Sequence, residues 1–163
     1  AAERLGIPME SARASLARFQ GAARRFDIRG ERHGITIVDD FAHHPSEIRA
    51  TLAAARVRYP GRPLWAVFQP HTYSRTASLL GDFARAFRDA DHVLVVDIYA
   101  SREADTLGVS SQDVVSRMMH PDARYVGRLD AATAIITAEA RPGDVVLTLG
   151  AGDVWKVAES LVK

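Results

Sequence analysis

Cysteine is absent from the 163-residue chain. That excludes disulfides and thiolate metal sites and suits a reducing cytoplasm. Lysine is nearly absent too, occurring only at Lys156 and Lys163, so the positive charge is almost all arginine. There is no excess of one sign of charge. A net charge of +1 offers no bulk attraction to nucleic acid or to an anionic membrane, and neither is expected as a partner. No apolar run is long enough to span a bilayer, and no secretory signal is read at the start. No Gly-x-x-x-x-Gly-Lys-Ser/Thr loop occurs anywhere, so a phosphate cradle for ATP is not expected within this sequence.

What is present reads as one soluble globular domain. The hydrophobic fraction is 47% and the charged fraction 25%, both ordinary values. A chain of this length buries about 70% of its unfolded surface, enough for a real core. Residues 1–20 read as a short helical piece opened by Pro8, with Ala12, Leu16 and Phe19 on one face. Next, residues 25–32 alternate in character and lead through His33-Gly34 into the β-branched run Ile35–Val38. A hairpin is expected, with Gly34 supplying the turn.

From there strands and helices alternate. Strands are expected at 64–68, 92–99, 124–126 and 144–149. Helices are expected from Pro45 onward, over 76–90 with Leu79, Leu80, Phe83 and Phe87 inward, over 110–119 and 129–140, and after Asp153. The fold class is therefore α/β: a Rossmann-like, mostly parallel sheet with helices on both faces and an antiparallel edge strand from the N-terminal hairpin.

In a parallel sheet the segments following each strand share one rim. Here they are Asp39-Asp40-Phe41-Ala42-His43-His44, then Gln69-Pro70-His71-Thr72-Tyr73-Ser74-Arg75, then Asp97 and Tyr99, then Gly150-Ala151-Gly152-Asp153. The opposite turns, such as Tyr59-Pro60-Gly61 and Arg141-Pro142-Gly143, carry plain turn chemistry. Ligands of open α/β sheets bind at the carboxyl rim, so the one-sided gathering of His, Asp, Arg, Tyr and Gly points to a site. Each piece also has a plain reading. His44 suits a helix cap before Pro45, with Glu47 three residues on. Arg75 suits a surface ion pair. Zinc is not expected: no His-x-x-x-His spacing is present, and neighbouring side chains diverge.

Four blocks taken together resemble the Mur ligase family. They are Arg24-Arg25-Phe26, Asp39-Asp40-Phe41-Ala42-His43-His44-Pro45, Phe68-Gln69-Pro70-His71-Thr72-Tyr73-Ser74-Arg75-Thr76 and Leu147-Thr148-Leu149-Gly150-Ala151-Gly152-Asp153. The resemblance implies an ATP- and magnesium-dependent cytoplasmic enzyme of peptidoglycan precursor synthesis. It implies that residues 1–22 are a terminal helix left from a central ATP-binding domain and that 23–163 form the C-terminal domain. The N-terminal and central domains would be partners within the same longer chain. The pattern is most similar to the member that joins L-alanine to UDP-N-acetylmuramate, with ATP activating the muramoyl carboxylate as an acyl phosphate. The alternatives are a tripeptide-recycling ligase of the same family and a non-catalytic Rossmann-like nucleotide-binding module.

Carried over by position, the resemblance implies that Arg25 meets the ATP phosphates and Asp40 the ribose hydroxyls. Phe41, His43 and His71 would surround the alanine, and Arg75 would grip its carboxylate. His44, Tyr73 and Gly150 would complete the rim, and no residue is assigned to a metal. Two positions depart from the family pattern: Phe41 stands where tyrosine is common, and Thr72 where arginine often stands. With no phosphate loop in the sequence, the purified chain is expected to fold but to show no ATP turnover. Phosphate release above background from a preparation free of contaminating ATPase would overturn the domain assignment.

Overall fold

A computed structural model describes residues 6–17 and 23–163. Helix α1 spans Met9–Ala17, within the helical piece expected there. Phe19, expected on its inner face, lies outside the described residues.

Strands β1 (Asp27–Arg32) and β2 (Ile35–Asp40) form the antiparallel hairpin. His33 and Gly34 turn it with φ of 51° and 77°, the left-handed pair that a two-residue hairpin needs. Helix α2 (Pro45–Arg58), strand β3 (Leu64–Phe68) and helices α3 (Tyr73–Ser78) and α4 (Leu80–Ala84) follow. Then come β4 (His92–Val96), α5 (Ser111–Ser116), β5 (Ala123–Gly127), α6 (Leu129–Glu139), β6 (Val145–Leu149) and α7 (Trp155–Val162). The six strands lie in the order β1-β2-β6-β3-β4-β5, and every pairing except β1 with β2 is parallel. The expected fold class is thus the observed one.

Several boundaries differ from expectation, and α5, expected to reach residue 119, ends at Ser116. The helix expected over 76–90 begins at Tyr73 and breaks at Leu79, where φ is −113° and ψ 15°. After Ala84 the chain continues in turns, yet Phe83 and Phe87 are still fully buried. Burial of the apolar residues survives where helical regularity does not, because contact with the sheet sets their position. Strand β4 ends at Val96, and Tyr99 leaves the ladder to form a separate parallel bridge with His71.

The period of two along the strands builds two cores. On one face Val38, Phe68, Val95 and Leu147 pack against Ile48 and Leu52 of α2 and against Phe83, Phe87 and Val114. On the other, Ile37, Val67, Leu94 and Val146 pack against Ala132 and Ile136 of α6 and Val157 of α7. Strand β6 therefore sends its chain to the face opposite the one taken after its neighbours β2 and β3. The carboxyl ends of these three strands coincide, with Asp40 and Phe68 both level with Leu149. The rim opens at that point.

Phe68 lies between Phe83 and Phe87, with ring centroids 5.2 Å from each. Phe68→Ala should cost about 3–5 kcal/mol. In urea this would appear as a lower midpoint with an unchanged slope. Val57→Ala, at a position 84% exposed, is the control and should move the midpoint very little.

Candidate amino-acid site on the carboxyl rim

The two aspartates ending β2 are used by the fold itself. Strand alternation sends them to opposite faces. Asp39 is 1% exposed, pairs with Arg24 Nε at 2.8 Å and accepts the Thr148 hydroxyl at 2.7 Å. Asp40 is 5% exposed and accepts the Phe26 and Ala42 backbone N–H groups, one on each oxygen, both at 2.7 Å. Arg24 continues from Asp39 to the Gly150 carbonyl at 2.7 Å and lies 5.1 Å above the Phe41 ring. Arg25 is exposed and makes no hydrogen bond or ion pair to a described residue.

Beyond β2, the helix start forms as its residues dictate. His44 caps α2, Pro45 takes the first helical position, and Glu47 receives the His43 and His44 N–H groups at 3.0 and 3.1 Å. Burial pushes the Glu47 carboxyl up, but those two donors and the charges of His43 and Arg25 outweigh it and hold it below the usual range. The adjacent histidines diverge. Exposed His44 turns to Ser46, whereas His43 turns inward, 2.9 Å from the Phe41 carbonyl.

His43 opens a row of rings along the rim. Phe41 meets it edge-on at 5.3 Å, His71 lies 6.0 Å away, and Tyr99 stacks on His71 at 5.5 Å with planes 11° apart. Arg75, in the first turn of α3, donates from Nη1 to the His71 carbonyl at 3.0 Å and reaches His71 Nδ1 at 3.3 Å. Its Nε and Nη2 make no hydrogen bond to a described residue. Desolvation, then the charges of Arg75 and His43, push the His71 pKa down, so its ring is neutral near pH 7. Among the described residues no group of three His, Asp or Glu side chains is placed to hold a metal ion. None of the helices there is long and apolar enough to cross a membrane.

Glycine lets these pieces approach. Gly150 has a φ of +152°, and a Cβ there would lie 2.9 Å from the Gln69 carbonyl. At Gly152 a Cβ would meet the Tyr99 ring at 2.6 Å and the Gln69 side chain. Gln69 in turn receives the Asp153 and Val154 N–H groups and donates to Asp153, locking the loop after β6 to the end of β3.

Asp40, His43, His71, Arg75 and Gly150 therefore share one edge of the sheet, with His44 and Tyr73 flanking them at the starts of α2 and α3. Arg24, Tyr99 and Glu103 are further participants that the sequence reading did not place in the site. Arg24 stands beside Arg25 in the first block, and Tyr99 follows a rim strand, so both had a signal. Glu103, in the loop after β4, had none.

The family model "Mur ligase, glutamate ligase domain" matches residues 24–152. The chain belongs to the Mur ligase family. A curated UDP-N-acetylmuramate–L-alanine ligase from Roseiflexus castenholzii is 49% identical over 159 residues, covering 98% of this chain and 33% of its own length. Among solved structures, a UDP-N-acetylmuramate–alanine ligase from Thermotoga maritima superposes with a TM-score of 0.78 at 28% identity. That match covers 99% of this chain and 34% of the other. A murein peptide ligase from Psychrobacter arcticus gives 0.74 at 24% identity over 99% of this chain and 34% of its own, which shows the shared fold alone. The chain spans about a third of the length of these Mur ligases.

Within this Mur ligase domain, Thr72, where the resemblance led to an expectation of arginine, has a definite partner. Its hydroxyl donates to Glu103 at 2.6 Å, and the Ser74 N–H and hydroxyl donate to the same carboxylate at 2.8 and 2.5 Å. The Thr72 hydroxyl and the Ser74 N–H and hydroxyl at the start of α3 are thereby taken up by Glu103. These bonds, Ser74 first and then Thr72, hold the Glu103 pKa down at about 2. The folded value is depressed. Its contribution is therefore full above the ordinary 4.5 and is lost as pH falls toward about 2. Glu103 lies at the surface, so solvent weakens its effect on global stability, and the titration itself is the better readout. Carboxyl-carbon NMR should show Glu103 titrating near 2, and Ser74→Ala with Thr72→Val should return it toward 4.5. An ordinary value in the parent protein would mean that Glu103 does not hold the α3 loop.

Proposed function

We propose that this chain is the amino-acid-binding domain of a UDP-N-acetylmuramate–L-alanine ligase, a cytoplasmic enzyme of peptidoglycan precursor synthesis. The single observation carrying the proposal is the open edge of Arg75. Its Nη1 is spent on His71, which fixes the guanidinium plane, while Nε and Nη2 remain as a parallel pair of donors. That pair matches a carboxylate in shape and charge. Phe41, His43 and His71 wall the space beside it, and a small aromatic-walled site favours a methyl side chain.

In this reading the full-length enzyme uses ATP to convert the muramoyl carboxylate into an acyl phosphate. The amino group of L-alanine attacks the acyl carbon, leaving an amide, ADP and phosphate. This domain contributes position. Arg75 takes the alanine carboxylate with His71 beside it, and the row of rings excludes water from the amino group's path. Arg25, exposed and without a hydrogen bond or ion pair to a described residue, is the cation offered to the ATP phosphates. Asp40 supports the nucleotide side through the turn it anchors, since both of its oxygens already receive backbone N–H groups. Magnesium would be held mainly by the central domain of the longer chain. The rival tripeptide-recycling ligase shares the fold. A full-length enzyme that uses the tripeptide and ignores alanine would establish that rival.

Arg75→Ala in the full-length ligase removes a charged partner from a desolvated carboxylate, at a cost of roughly 2–5 kcal/mol. The alanine KM should therefore rise about 30-fold to several-thousand-fold, with the ATP KM little changed. Arg75→Lys should recover only part of the loss, because a point charge cannot form the two-pronged contact. Steady-state kinetics varying the two substrates separately provides the check. An unchanged alanine KM would rule out the clamp.

A further inference from the structure

Attack on an acyl phosphate needs a nitrogen lone pair, and an amino acid at neutral pH presents an ammonium group that has none. Some group must take that proton. Two imidazoles border the site, and their Nδ1 partners give them opposite tautomers. His71 Nδ1 faces a guanidinium nitrogen of Arg75 at 3.3 Å. Arginine only donates, so Nδ1 carries the lone pair and the proton sits on Nε2. His71 is thus a donor toward the site. His43 Nδ1 faces the Phe41 carbonyl at 2.9 Å. A carbonyl only accepts, so this Nδ1 carries the proton and Nε2 carries the lone pair. His43 is the acceptor of the two.

We infer that His43 is the general base that takes the ammonium proton of the incoming amino acid, with Glu47 and the Phe41 carbonyl fixing its ring. The inference rests on the ligase reading above. Glu47 Oε2 lies 3.5 Å from His43 Nδ1 and is pinned by two backbone N–H groups, so it stabilises the imidazolium as it forms. The other charged or titratable groups facing this corner are Arg75 and His71 across the ring row, Arg24 over Phe41, and Arg25 toward Glu47. Glu103 acts on His71 from the far side. None of the arginines can accept a proton, and Glu47 is turned to the backbone.

The step balances. The N–H bond of the ammonium breaks and its electron pair stays on nitrogen, while a new N–H bond forms at His43 Nε2. The neutral amine attacks the acyl carbon, and the C–O bond to phosphate breaks with its pair on oxygen. The second nitrogen proton leaves with the phosphate, and His43 returns its proton to solvent.

The test uses the full-length ligase with His43→Asn and Glu47→Gln. His43→Asn should lower kcat with alanine by about 10²- to 10⁴-fold near neutral pH. The deficit should shrink as pH rises and solvent supplies the neutral amine. Hydroxylamine, already unprotonated at neutral pH, captures the acyl phosphate as a hydroxamate without needing a base. Its capture rate should fall far less than the alanine rate. Glu47→Gln should produce a smaller version of the same pattern. Two outcomes would overturn the assignment: a raised alanine KM with kcat intact, or an equal loss at every pH and with hydroxylamine. If the parent enzyme turns over another amine and not alanine, the alanine reading fails by itself, and the same variants run with that amine still decide the role of His43.

Discussion

The structure depends on burying two consecutive carboxylates at the end of one strand. Asp39 and Asp40 leave β2 on opposite faces, so no single counter-ion can serve both. Asp39 is met by a guanidinium and a hydroxyl, Asp40 by two backbone N–H groups. These partners draw residues 24–26 onto the rim, where Arg24 and Phe26 adopt φ of 58° and 48°. Left-handed geometry is unfavourable for such residues by about 1–2 kcal/mol each. It persists because the alternative is a carboxylate buried without partners, which costs more. Through Arg24 the same network reaches the Gly150 carbonyl and the Phe41 ring. The position of β6 and the orientation of the aromatic wall thus follow from satisfying Asp39.

Strand β6 supplies the second constraint. It is the last strand in sequence and lies between β2 and β3, so the loop following it must pass between two loops already carrying side chains. At two positions of that loop there is no room for a Cβ. Gly150 clears the Gln69 backbone and Gly152 clears Tyr99. The clearance at Gly152 lets Tyr99 stack on His71. A glycine thereby helps to set the plane of a histidine on the rim.

Much of this was legible in the sequence because the signals are local. The strand runs, the His33-Gly34 turn, the His44–Pro45–Glu47 helix start and the crowding of one rim all follow from neighbours within a few residues. What was not legible is set by distant partners. Nothing near Arg24 and Arg25 says which of them turns inward; Asp39 and the Gly150 carbonyl decide that, and they lie 15 and 126 residues away. The helix expected over 76–90 breaks at Leu79, while Phe83 and Phe87 keep their packing on Phe68, a partner distant in sequence. Glu103 was invisible for the same reason, since its partners Thr72 and Ser74 are 31 and 29 residues away.

The two site histidines carry this reasoning to chemistry. As residue types they are interchangeable, and sequence places them on equivalent loops after parallel strands. Their roles separate only when the atom opposite each Nδ1 is known: a carbonyl oxygen for His43, a guanidinium nitrogen for His71. The first contact leaves the lone pair of His43 on Nε2, and the second leaves the proton of His71 on Nε2. In the proposed reading, a domain with no phosphate loop and no group of three metal-ligating side chains among its described residues would still shape the reaction. In the proposed enzyme it would hold a carboxylate at one end of a small molecule and set the protonation of the amine at the other.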